Sequence, residues 1–174
     1  MYCRKIILTF LSVLLAVNVF ALSDDREQPI LIEANKATID NIKQIAIYKG
    51  NVIVTQGSIR INADIVTINY TQKQNIEKVV AVGKQARFKQ LLDNGDEIKA
   101  SARQMEYNAI KDMLTLRNKA KLRKLKNGKD IYMSKAPRII YDTQRAIIEA
   151  DKGNTKKGRV SVKIQPQHKP SSKQ

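Results

Sequence analysis

What most restricts the fold of this chain is a unit of about 33 residues that recurs roughly four times. An apolar residue, a spacer and a small or apolar residue lead into a stretch that ends in a hydrophobic–polar step. The pattern runs from Ile32-Glu33-Ala34 to Ile39-Asp40, from Ile61-Asn62-Ala63 to Ile68-Asn69-Tyr70, and from Ile98-Lys99-Ala100 to Met105-Glu106-Tyr107. A looser copy, one residue longer, joins Ile131-Tyr132-Met133 to Ile140-Tyr141-Asp142. The starts at positions 32, 61, 98 and 131 lie 29, 37 and 33 residues apart. A second motif sits between copies of the first: Gly50-Asn51-Val52-Ile53-Val54, Gly83-Lys84-Gln85-Ala86-Arg87-Phe88 and, more weakly, Arg117-Asn118-Lys119-Ala120-Lys121-Leu122.

Turn chemistry makes each unit a hairpin. Asp93-Asn94-Gly95 and Lys126-Asn127-Gly128 are strong hairpin tips, because Asn and Gly accept positive φ. Asp40-Asn41 and Thr71-Gln72-Lys73-Gln74-Asn75 are weaker ones. Between them, runs such as Ile30-Leu31-Ile32-Glu33-Ala34, Ala86-Arg87-Phe88-Lys89-Gln90 and Met105-Glu106-Tyr107-Asn108 alternate apolar and polar residues. A period of two means strands with one wet face. Ile, Val and Thr are plentiful, and Pro137 is the only proline away from the ends, which fits an all-β chain. The expected architecture is a single elongated sandwich of a dozen or more short antiparallel strands, each repeat burying its apolar face on its neighbours.

The N-terminus carries an export signal. Arg4 and Lys5 precede an apolar run from Ile6 to Phe20, closed by Val19-Phe20-Ala21. These three parts predict a signal peptide over residues 1–21, with a second cleavage position after Ser23. The competing reading, a retained membrane anchor, needs about 20 apolar residues, and Ile6–Leu22 falls short while containing Asn18. Cys3 precedes the apolar run, so it is not placed for lipid attachment. Cleavage removes this only cysteine, and stability must then come from packing and backbone pairing alone. A single domain is expected over residues 22–164. A basic, Pro- and Ser-containing disordered tail is expected over residues 165–174.

Charge narrows the partners. The formal net charge is +16, and losing Arg4 and Lys5 leaves +14. Such an excess points to an anionic partner. Export and the interleaving of cations along strands, without clustering, argue against nucleic acid. Phosphorylated or acidic lipid headgroups fit better, and the bland alternative is a solvated lysine-rich surface. Catalysis has little to stand on: the only His is His168 in the tail, and there is no Gly-rich phosphate loop, no metal-ligand spacing and no implied cofactor. Asp93, Asp96 and Glu97 surround a hairpin tip and are expected to solubilise it.

Several stretches carry a family resemblance. They are Gln28-Pro29-Ile30-Leu31-Ile32-Glu33-Ala34, Tyr48-Lys49-Gly50-Asn51-Val52-Ile53-Val54-Thr55-Gln56-Gly57 and Ile59-Arg60-Ile61-Asn62-Ala63-Asp64. Gly83-Lys84 before Ala86-Arg87-Phe88, Ala102-Arg103-Gln104-Met105-Glu106-Tyr107, and Asp151-Lys152-Gly153 before Arg159-Val160 extend it over nearly the whole exported chain. Together they resemble the LptA (OstA-like) family of periplasmic lipopolysaccharide transport. Where the family pattern often has Gly-Asn in the third copy, this chain has Arg117-Asn118.

The resemblance implies an incompletely closed, V-shaped β-jellyroll of stacked antiparallel strands. It implies an apolar interior that cradles lipopolysaccharide acyl chains and leaves the sugars outside. It also implies end-to-end stacking of copies between inner- and outer-membrane components of the transport machinery, driven by an ATP-powered extractor. On this reading Ile30, Ile32, Ile61, Phe88, Met105, Tyr107 and Leu116 line the lipid groove. Pro29, Ile30 and Leu31 at one end, and Val160, Val162 and Ile164 at the other, form the edges that pair between copies. A membrane-anchored relative of the same fold and an exported polyanion-binding scaffold are the two rivals.

Overall fold

A computed structural model describes residues 25–155 and 157–166, so the expected signal peptide, Cys3, His168 and most of the expected tail lie outside the described residues. After a 3-10 turn at Asp25–Glu27 come ten strands: β1 (Ile30–Glu33), β2 (Lys36–Asp40), β3 (Ile45–Gln56), β4 (Ile59–Tyr70), β5 (Ile76–Leu91), β6 (Glu97–Asn108), β7 (Met113–Lys126), β8 (Lys129–Asp142), β9 (Ile147–Asp151) and β10 (Ser161–Ile164). All pair antiparallel in one sheet running from β1 through β3–β8 to β10, with β2 on β3 and β9 on β8. β1 and β10 end the order without pairing to each other, so the sheet is not closed into a barrel.

The strands are fewer and longer than the sequence suggests. β3 to β8 run 12 to 16 residues each, because every one of them continues through a bend. Ladder pairing slips at each bend, between Lys49 and Val52, Asn62 and Ile65, Val82 and Ala86, Ser101 and Gln104, and Arg117 and Ala120. The sheet is thereby creased into two leaves. In the first lie β1, the later halves of β3, β5 and β7, the earlier halves of β4, β6 and β8, and β10. The second holds β2, the complementary halves, and β9.

Both sequence motifs meet at the crease. In β3 the bend is made by Gly50 and Asn51, at φ 80° and 48°, and a side chain at Gly50 would strike Asn35. Asn35 N–H in turn donates to Gly50 O at 3.0 Å, which ties the β1–β2 bend to that of β3. In β7, Asn118 and Lys119 make the same bend at φ 63° and 60°, so Arg117-Asn118 bends the chain without a glycine. In β4, β6 and β8 a small residue comes to the crease: the third residue of the first motif, Ala63, in β4, and residues two and three positions beyond it, Ala102 and Ala136, in β6 and β8. Val52 pairs with Ala63, Ala86 with Ala102 and Ala120 with Ala136, all buried. Only small side chains fit where two leaves converge at near-crystalline density.

At the far end of the second leaf a polar residue at the end of the first motif, or one position past it, builds the turn. Asp40, Asn108 and Asp142 each accept two backbone N–H bonds through Oδ1, from Ile42 and Lys43, Ile110 and Lys111, and Gln144 and Arg145. Such Asx turns leave the last loop residue in the left-handed region, as at Gln44, Asp112 and Ala146. The expected tips at Asn94-Gly95 and Asn127-Gly128 close the other leaf. Between crease and tips the inward faces bury Val66, Ile98, Met105, Leu114, Leu116, Leu122, Ile139 and Tyr141 almost completely. Each such aliphatic contributes roughly 1.5–3 kcal/mol relative to exposure.

Candidate functional site

The leaves diverge from the crease, and their free tips do not meet. Between them runs a partly open groove of about 880 Å³. One wall comes from the first leaf: Ile30, Val54, Ile59, Ile61, Phe88 and Leu92. The facing wall comes from the second: Ile68, Ile76, Val79, Tyr107 and Leu114. These side chains alternate along their strands with outward ones, so the lining follows from the period of two.

Polar groups gather at the rim. Gln56, Gln90, Asp93, Asn94 and Lys124 edge the first leaf, with Gln74, Asn75, Thr143 and Gln144 opposite. At the β5–β6 tip, Asp96 is 5% exposed, and Lys124 Nζ lies 3.0 Å from its Oδ2. Asn94 Nδ2 donates to the same oxygen at 2.9 Å, while Asp96 N–H donates back to Asn94 Oδ1 at 3.0 Å. The Lys124 ammonium holds the Asp96 carboxyl below its ordinary value, although burial opposes this. The N-terminal turn packs on the β3–β4 turn at the rim of the first leaf. Asp25 accepts from Ser58 N–H at 2.6 Å and Ser58 Oγ–H at 2.8 Å, and Gln56 Nε2 donates to Gln28 O at 3.2 Å.

The residues expected on the groove divide. Ile61 and Phe88 are buried, face each other across the β4–β5 ladder and line it. Ile30 and Tyr107 line it from opposite walls, with Tyr107 Oη–H donating to Asp112 Oδ1 at 2.9 Å. Ile32 packs against the core next to the groove without lining it. Met105 and Leu116 lie elsewhere than expected: they pair with each other in the closed core, at 2% and 0% exposure, between groove and crease. They belong to the packing that supports the groove. Val54, Ile59, Ile68, Ile76, Val79, Leu92 and Leu114 are lining residues outside the expected set, although Ile59 alternates with Ile61 and Leu114 with Leu116. Ile68 is within reach of the sequence, since it occupies the end of the first motif.

At the ends of the sheet, among the described residues, β1 pairs only with β3, and β10 only with β8. Leu31, Val162 and Ile164 on these strands are exposed, as are Ile30 on β1 and Val160 just before β10. Pro29 directly precedes β1. The open edges also include β2 and β9, which the sequence pattern does not mark as edges. Each edge is thus two short strands, one on each leaf.

Residues 31–147 match the family described as "LptA/(LptD N-terminal domain) LPS transport protein". The chain is 33% identical to lipopolysaccharide export system protein LptH of Pseudomonas aeruginosa, over 86% of each chain. It is 37% identical to lipopolysaccharide export system protein LptA of Escherichia coli, over 76% of this chain and 75% of that one. The crystal structure of LptH, titled the LptA-homologous periplasmic component of the lipopolysaccharide transport device, superposes with a TM-score of 0.71 at 33% identity. It covers 82% of this chain and 99% of that one.

Proposed function

The chain belongs to the LptA/(LptD N-terminal domain) family of lipopolysaccharide transport proteins, and on that premise we propose that it is a periplasmic lipopolysaccharide carrier. Acyl chains lie in the groove between the leaves, the sugars project past the polar rim, and copies join end to end between the two membranes. The observation that carries this reading is the groove itself: two facing apolar walls, one from each leaf, with polar rims and no lid between them among the described residues. Leaving hydrocarbon in water costs roughly 0.8 kcal/mol per CH₂, and a continuous apolar trough removes that cost along a path. The lining is broad and aliphatic with no deep polar anchor, so neighbouring positions along it are close in energy and a chain can slide. The role needs no catalytic group, because moving a lipid makes and breaks no covalent bond.

End-to-end joining rests on the unpaired backbone edges. β1 and β2 at one end, and β9 and β10 at the other, present N–H and C=O groups for β-augmentation by a neighbouring copy. Such a contact joins different surfaces and so continues as a filament. The same edges would receive the inner- and outer-membrane components of the transport machinery.

Photo-crosslinking tests the groove. A photoreactive residue at Phe88 or Tyr107 should capture lipopolysaccharide in living cells, while one at outward-facing Arg87 should not. Equal capture at all three positions would overturn the assignment.

A further inference from the structure

Read along the chain, the cations are interleaved without clustering. The strand register corrects that impression. Across the outer face of the first leaf, Arg60, Lys89, Lys99 and Arg123 are successive cross-strand partners, and the same row continues through Met133 to Lys163. A second row, two residues nearer the crease, runs Asn62, Arg87, Ser101, Lys121, Lys135 and Ser161. Glu97 bridges Lys89 and Lys99 at 2.9 and 2.7 Å, and Asp130 holds Arg123 at 2.7 Å. Among the described residues, no acid lies within ion-pair distance of Arg60, Arg87, Lys121, Lys135 or Lys163. Lys121 stands directly opposite Lys135, a like-charge pairing that destabilises a sheet unless an anion relieves it.

The outer face of the second leaf has no such excess. There Lys36, Lys49, Lys78, Arg117 and Arg138 are equalled in number by Asp40, Glu106, Asp142, Glu149 and Asp151, with Arg117 on Glu106 and Arg138 on Asp151 as ion pairs and Lys36 opposite Lys49, and Ile47, Ile65, Val80, Val82 and Ile140 lie between them. A merely lysine-rich surface would be basic on both leaves. This segregation needs a reason that solvation does not supply.

We propose that the outer face of the first leaf binds a flexible acidic saccharide chain laid across the strands, along the cation rows. Strands are about 4.8 Å apart, so the rows offer charges at that spacing or its double over roughly 24 Å. Neighbouring strands twist by about 20–25°, so the rows turn through roughly 100° or more from β4 to β10. A flexible polymer follows that turn, whereas a flat bilayer touches only part of it. No aromatic side chain stands in either row, which leaves nucleic-acid bases nothing to stack on. Asn62, Ser101 and Ser161 alternate with the cations instead and offer partners for sugar hydroxyls. The surface lies on the opposite side of the leaf from the groove, and its binding does not depend on what the groove holds.

The test uses the intact protein and three probes: a short heparin oligosaccharide, an uncharged dextran, and vesicles of equal phosphatidylglycerol and phosphatidylcholine. Heparin should bind with an affinity that falls steeply with salt, and dextran should not bind. The triple variant R87Q/K121Q/K135Q should weaken heparin binding between about threefold and about a hundredfold, from three exposed ion pairs. The control triple K36Q/K49Q/K78Q on the other leaf should change it less than twofold, and the charge-preserving R87K/K121R/K135R should retain it. An equal loss in both Gln triples would reduce the effect to net charge and overturn the proposal. Tighter binding to vesicles than to heparin would overturn it in favour of a membrane, and absence of heparin binding would overturn it outright. Photo-crosslinking at Phe88 in the R87Q/K121Q/K135Q background reads the groove separately.

Discussion

Tyr141 supplies a sharp test of how the leaves are packed. Its side chain is fully buried on the inner face of β8, between Leu114 on β7 and Ile148 on β9. The hydroxyl has no hydrogen-bond partner among the described residues. A buried polar group without a partner costs about 1–3 kcal/mol, whereas the ring alone is ordinary core. Tyr141→Phe should therefore be neutral or stabilising by up to about 2 kcal/mol, a sign opposite to most core substitutions. In thermal unfolding that is a rise of up to about 8 °C for a chain of this size.

The same hydroxyl sets an alkaline limit. Burial, ahead of the neighbouring Asp142 charge, raises the Tyr141 pKa from its ordinary 10.0 to about 12. Below pH 10 the group is protonated whether folded or unfolded and contributes no pH dependence. Between pH 10 and about 12 only the unfolded chain loses the proton, so stability falls by about 1.4 kcal/mol per pH unit, roughly 3 kcal/mol in all. Urea unfolding of wild type and Tyr141→Phe at intervals from pH 8 to pH 12 measures both effects. The variant should match or exceed wild type at pH 8, and its advantage should widen above pH 10. A variant less stable than wild type by more than about 1 kcal/mol at pH 8 would show that the hydroxyl is bonded, and the packing account would fail.

Three further outcomes follow from the same geometry. The Asp96 carboxyl is held low by Lys124, so the pair contributes above the ordinary carboxylate value of 3.8 and is lost as pH falls below it. Acid unfolding of Lys124→Met should show a flatter acid limb and a loss of about 1–3 kcal/mol at neutral pH, from an Asp96 left buried with Asn94 alone. Lys119 is held at φ 60°, which a glycine adopts without strain, so Lys119→Gly should raise stability by about 1 kcal/mol in urea unfolding. Deleting the chain from Arg159 onward removes β10 and should leave a folded monomer in analytical ultracentrifugation at concentrations where the full chain associates. Undiminished association would place the joint elsewhere.

How much of the fold and of the groove is legible in the sequence depends on whether a feature is local. The hairpin tips at Asn94-Gly95 and Asn127-Gly128, the repeat and the all-β class are local and can be read directly. Strand length cannot, because Gly50-Asn51 and Asn118-Lys119 look like strand ends and are bends within strands. The bends also disturb alternation. In β6 the inward positions are Ile98, Ala100 and Ala102 before the crease but Met105 and Tyr107 after it, so even numbers give way to odd. A parity count along one strand therefore finds inward residues but not which leaf they serve. It does not separate Met105 and Leu116 in the core from Val79 and Leu114 on the groove. The basic face is hidden for a related reason, since Arg60 and Lys163 share a row only through the register of the strands between them.

The alanine crease has a mechanical consequence. Each of the six long strands crosses it, so the leaves are joined like the pages of a bound book, by covalent chain at every line of text. One page cannot tilt at a single strand without shearing the ladders on either side, and widening at one point is shared along the spine. A bulky guest entering at one end therefore spreads the opening ahead of itself, and the gap between the pages is a property of the whole stack. Replacing one of the spine's small side chains with a larger one would set the book ajar throughout.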